Sequence, residues 1–108
     1  MIALTGARTY PAAAIIKQTP TGISYKSNTT INSVPTGAQH SVSILVTPTS
    51  TADVEVSFDS GTTWPLTIYK GSSQSWGNDS TNGISLTQMR FRPAGYPAGV
   101  ATYNLWGD

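Results

Sequence analysis

Few side chains in this 108-residue chain could do chemistry. His40 is the single histidine and sits between Gln39 and Ser41 beside a turn. An imidazole can act as base toward a serine, and 13 serines are present, but the Gly-x-Ser-x-Gly elbow that presents a nucleophile is missing. A solvated loop histidine accounts for the same residues. Asp53 and Glu55 stand two apart on one face of an extended run, the kind of carboxylate pair that glycoside hydrolysis uses. A polar strand face opposite Val54 and Val56 has the same spacing. Asn78, Asp79 and Asn82, with Asp59, carry hard oxygens suited to calcium, yet EF-hand spacing is absent and turns use the same residue types. Without cysteine there is no disulfide, thiolate zinc site or cysteine nucleophile. Gly95 and Gly99 flank Tyr96-Pro97, which reads as a turn and not as a phosphate cradle. The inventory assigns no catalytic residue, no cofactor and no metal, and the expectation is a non-enzymatic protein.

Aromatic residues remain as carriers of function. Trp64, Trp76 and Trp106, with Tyr25, Tyr69, Tyr96 and Tyr103, could build a sugar-stacking platform or an oligomer interface. Trp76 stands alone in the polar stretch 71–83, where it reads equally as a subunit contact or as a plug folded back into the core. Trp106 reads as pinning the last strand. Ile15, Ile16, Trp76 and Tyr96 are the candidate interface residues.

The elements that position these residues are short and extended. Residues 41–47, 54–58, 66–70, 84–92 and 101–106 alternate or run apolar like strands, with shorter runs at 22–26 and 29–34. Turn signals recur about every ten residues, which predicts about seven or eight strands in an all-β domain: an antiparallel sandwich or small barrel, jelly-roll or Ig-like. Almost no helix is expected. Within 84–92 the apolar residues occupy both phases, Ile84 and Leu86 on one and Met89 and Phe91 on the other. That pattern predicts one face on the core and the other on a partner. Residues 1–20 differ from the rest, with apolar Ala12 to Ile16 between Pro11 and Pro20. They read as an extended N-terminal arm preceding a sandwich domain over 21–108.

Composition narrows the partners. Six Lys or Arg against five Asp or Glu give a net charge of +1, with no basic surplus for nucleic acid. Only 10% of residues are charged, against about a quarter in ordinary domains, while 16 Thr and 13 Ser make up more than a quarter of the chain. No apolar run is long enough to span a membrane, and the first residues lack the pattern of a signal peptide.

Residues 57–64, Ser-Phe-Asp-Ser-Gly-Thr-Thr-Trp, join two of the expected strands. Asp59 can accept hydrogen bonds from main-chain N–H groups two or three residues on, Gly61 can take positive φ, and Trp64 can pack its ring onto the core. Ser57, Asp59, Gly61 and Trp64 thus form a structural turn, and the segment resembles the Asp-box of sialidases and other β-propellers. In those families the box is a turn remote from the active site. A single copy in a chain of this length excludes a propeller.

The cysteine-free, Thr/Ser-rich pattern of short strands, with Val54 to Pro65, Leu86 to Gly95 and the final Thr102 to Trp106, resembles small bacteriophage virion proteins over residues 54–106. The resemblance implies a capsid decoration (cement) protein or a head or tail accessory protein. It also implies a homo-oligomer, with a trimer favoured, terminal arms that clasp the major capsid protein or another virion protein, and a place in the virion. The alternative is a carbohydrate-binding or receptor-binding module of a phage tail or fibre, with a glycan as partner.

Overall fold

The computed structural model describes residues 21–107, with side chains from residue 29 onward. Eight strands run through them: β1 (Thr21–Asn28), β2 (Asn32–Ser33), β3 (Ser41–Val46), β4 (Val54–Ser57), β5 (Leu66–Ile68), β6 (Ser73–Gly77), β7 (Arg90–Pro93) and β8 (Ala101–Gly107). Single turns of 3-10 helix at Ser80–Asn82 and Leu86–Gln88 are the only helical elements among the described residues. The all-β expectation therefore holds.

The strands form two antiparallel sheets of four, ordered β1-β8-β3-β6 and β2-β7-β4-β5. Within them β1 pairs with β8, β2 with β7, β3 with β6 and β4 with β5. This is one long antiparallel ribbon folded at the β4–β5 turn. Its segments lie side by side through the β8–β3 and β7–β4 pairs. That order defines a jelly-roll sandwich, the first of the two alternatives the sequence leaves open.

Alternation sets the core between the sheets. Val42, Ile44 and Val46 of β3 face Val54 and Val56 of β4, with Phe91 of β7 and Tyr103 and Leu105 of β8, all fully buried. Asn32 follows the inward phase of β2, and its amide donates to the Tyr103 hydroxyl at 2.6 Å. A buried phenol and a strand amide thus satisfy each other.

Two expectations are corrected by this packing. The segment 84–92 is not one strand, because the turn at Leu86–Gln88 resets its phase. Ile84, Leu86, Met89 and Phe91 therefore all enter the same core, and no second apolar face is left for a partner. The polar stretch after Lys70 is not wholly loop either, since Ser73–Gly77 is an edge strand paired with β3. Its Trp76 lies opposite Val42 and is fully buried.

Antiparallel succession sorts the connections onto two poles. Loops 29–31, 47–53, 69–72 and 94–100 lie at one pole, where Val46 and Gly71, Lys70 and Asp53, and Ala94 and Asp53 are hydrogen-bonded at 2.8–2.9 Å. Loops 34–40, 58–65 and 78–89 lie at the other, joined by the Asn78 amide donating to the Gln39 carbonyl and the Ser60 N–H donating to the Gln88 carbonyl. Thr21 and Gly107 are register partners at this second pole. The arm assigned to residues 1–20, with Ile15 and Ile16, lies outside the described residues.

Candidate functional site

The turn between β4 and β5 is built by its own side chains. The Ser57 hydroxyl, fully buried, donates to Asp59 Oδ1 at 2.7 Å and accepts from the Gly61 N–H at 2.8 Å. Asp59 in turn accepts from the Thr63 N–H at 2.8 Å and from the Thr63 hydroxyl at 2.6 Å. The main-chain donor is four residues on, one step further than the spacing alone suggests. Ser60 and Gly61 both take positive φ, 61° and 93°, which turns the chain between those donors. Bonds from Thr63 above all, with that from Ser57, hold the exposed Asp59 carboxyl down at about 2. The carboxylate is committed to the turn and is poorly placed to act on a substrate.

Trp64 does not pack down onto the core. It is half-buried on the outer face of the β2-β7-β4-β5 sheet, and the Arg92 guanidinium lies over its ring at 4.0 Å from the centroid. The same guanidinium stands 5.5 Å from the ring centroid of Tyr96, which comes from the opposite pole. Arg92 Nε donates to Glu55 Oε1 at 2.7 Å across the β4–β7 pair. Outward phase on two neighbouring strands thus puts Glu55 and Arg92 side by side, and the two flanking loops lay an aromatic ring on either side of them. The sequence singles out Trp64, Tyr96 and Glu55 separately; Arg92 joins them. An Arg directly across from a Glu, on strands whose alternate residues are buried, is the signal that could have found it.

The other candidates go elsewhere. Trp76 makes an edge-on contact with Phe58 (ring centroids 6.1 Å apart, 73° between planes) and a tilted one with Phe91 at 6.1 Å. It is a core plug, and full burial removes it from the candidate interface. Its indole N–H is buried without a hydrogen-bond partner. Trp106 is half-buried on the outer face of the other sheet, opposite Ser43. Asp53 accepts the Lys70 N–H through Oδ1 at 2.9 Å while Glu55 holds Arg92, so each carboxylate has its own partner. Asn78 accepts the Leu86 N–H and Asn82 donates to Asp79, which makes these residues part of the 78–89 connection. Among the described residues no three His, Cys, Asp or Glu side chains converge as a metal site would require. His40 is exposed in loop 34–40.

Compared with protein-family models, with curated proteins and with solved structures, the chain matches none.

Proposed function

We propose that this protein is a non-enzymatic structural component of a phage virion, a decoration protein that clasps the capsid through residues 1–20 and associates with copies of itself, most simply as a trimer. The observation that carries this reading is the placement of Thr21 opposite Gly107 at one pole. Residue 21 thus begins at the end away from the loops 29–31, 47–53, 69–72 and 94–100, so an arm preceding it could engage a surface while that loop pole faces outward. Other features support the same reading. Jelly rolls recur as capsid building blocks, a likeness of fold alone. Only 10% of residues are charged, as suits a body partly covered by neighbours. An arm that adds strand or apolar contacts to several subunits gains from multivalency across a shell, which slows removal.

Co-sedimentation with the capsid of the encoding phage tests it. The full chain pellets with capsids in saturable, symmetry-related amounts, and a chain lacking residues 1–20 stays in solution. Equal pelleting of the two chains contradicts the arm mechanism, and failure of both contradicts the virion reading.

A further inference from the structure

Of the five asparagines in the chain, only Asn82 is followed by glycine. Gly83 has no side chain to shield its main-chain nitrogen, so that nitrogen can approach the Asn82 side-chain amide. The pair ends a small closed loop in the 78–89 connection, where Asn82 is half-buried and Gly83 exposed. Asp79 is the hub of that loop. Its carbonyl accepts the Asn82 N–H at 3.1 Å and the Ile84 N–H at 2.9 Å, and its own N–H donates to the Ile84 carbonyl at 2.8 Å. Gly83 takes φ 70° and donates its N–H to the Ser80 carbonyl at 3.3 Å. The bonds from Gly83 and Ile84 are those of a Schellman closure. One side-chain link completes it, Asn82 Nδ2 donating to Asp79 Oδ2 at 2.7 Å.

The two groups that could react are held lightly. The Gly83 bond is at the long end of the hydrogen-bond range. The turn Ser80–Asn82 buries none of its three residues, so opening it exposes no core.

We propose that Asn82 is a site of spontaneous deamidation and that the change unlatches the 78–89 connection. The Gly83 nitrogen attacks Asn82 Cγ and gives up its proton to water. The Cγ–Nδ2 bond breaks, and the nitrogen takes a proton from water and leaves as ammonia. Water then opens the cyclic imide at Cγ to give aspartate, or at the main-chain carbonyl carbon to give isoaspartate. One water is consumed and one ammonia released, and no oxidant or cofactor is needed.

Either product conflicts with the loop. Aspartate puts a second carboxylate where the amide donated to Asp79 Oδ2, so repulsion replaces a hydrogen bond. Isoaspartate lengthens the main chain between residues 82 and 83 by one carbon, about 1.5 Å, inside the bonds that set Asp79 against Ile84. Ile84 and Leu86 are core residues, 4% and 2% exposed, so a loosened loop reaches the core. The same connection is tied to loop 34–40 through Asn78 and Gln39, and to loop 58–65 through Gln88 and Ser60. The inference is independent of residues 1–20 and of the virion reading.

Peptide mapping of the full chain after storage in warm, mildly alkaline buffer is the test, with a urea-unfolded sample as reference. Aspartate and isoaspartate are expected at position 82 ahead of every other asparagine, about tenfold more slowly than in urea, as fits a turn that opens locally. Asn82→Gln, whose longer side chain does not close the same ring, should stay intact in storage. Asn82→Asp, which reproduces one product, should melt about 4–8 °C below the parent at neutral pH. Adding Asp79→Asn should recover most of that loss, because an amide again faces a carboxylate. The proposal is overturned if Asn82 stays intact in the folded chain, or converts no faster than the other asparagines. It is also overturned if the modified fraction melts with the parent, and a loss in Asn82→Asp that Asp79→Asn leaves untouched overturns the part given to Asp79.

Discussion

At the scale of single residues, satisfaction of polar groups explains most of what is seen. Asp59 is held at about 2 by its turn, against 3.8 for a free carboxyl. A carboxylate with a depressed pKa stabilises the fold above the unfolded value and loses that contribution as pH falls through the folded one. Asp59→Asn should therefore melt at a lower temperature than the parent at pH 7, and the gap should close between about pH 4 and 2, read by circular dichroism. Tyr103 shifts the other way: burial pushes its phenol up to about 12, partly offset by the Asn32 hydrogen bond. A group whose folded pKa is raised contributes stability below the unfolded value of 10.0 and loses it as pH rises through about 12. Alkaline titration should show Tyr103 ionising late, with unfolding setting in over the same window, and Tyr103→Phe should remove that pH dependence. Trp76 is the largest fully buried side chain among the described residues. Trp76→Ala should cost about 3–5 kcal/mol in denaturant unfolding. Trp76→Phe should cost much less, because the lost indole N–H has no partner to leave behind.

At the scale of elements, alternation was legible wherever a strand buries one face. The runs at 41–47 and 54–58 contain β3 and β4, the run at 101–106 covers β8 up to its last residue, and the turn at 57–64 was readable from Ser57, Asp59 and Gly61 because its bonds are local. The rest was hidden by two physical causes. Edge strand β6 spells Ser-Gln-Ser-Trp-Gly, so its inward phase carries a single apolar residue and no alternation to detect. The segment 84–92 reads as one strand only if no turn interrupts it, and Leu86–Gln88 has no proline or glycine to announce one. Trp64 was misplaced for a different reason: an arginine across the sheet draws the ring outward, and such a long-range partner has no local signature. Gly99 makes an element-scale prediction. A Cβ there would lie 2.0 Å from the Ala94 carbonyl oxygen, main chain that cannot step aside. Gly99→Ala should distort loop 94–100 and lower the midpoint of unfolding, whereas Ala98→Ser, two residues past Tyr96 and exposed, should leave it within about 0.5 kcal/mol.

Across the whole molecule, the two poles differ in what they expose. Thr21 and Gly107 mark the pole at which the described chain begins, and the exposed Ile31, Tyr69, Tyr96 and Val100 mark the other. The outer face that carries Glu55, Arg92, Trp64 and Tyr96 runs between them. Neutralising Arg92 (Arg92→Gln) should loosen Trp64 and Tyr96 together, visible as a red shift of tryptophan emission, at a modest cost of about 0.5–1 kcal/mol for a partly exposed stack. If assembly belongs to the arm pole, it should be indifferent to the tyrosines.

Molar mass by light scattering, measured on the full chain, on a chain lacking residues 1–20 and on the Tyr69→Ala/Tyr96→Ala variant, tests the role of residues 1–20 in assembly most directly. The account predicts a stable trimer for the full chain and the tyrosine variant, and a folded monomer once residues 1–20 are removed. A full chain that stays monomeric, or a trimer that survives loss of residues 1–20, contradicts it.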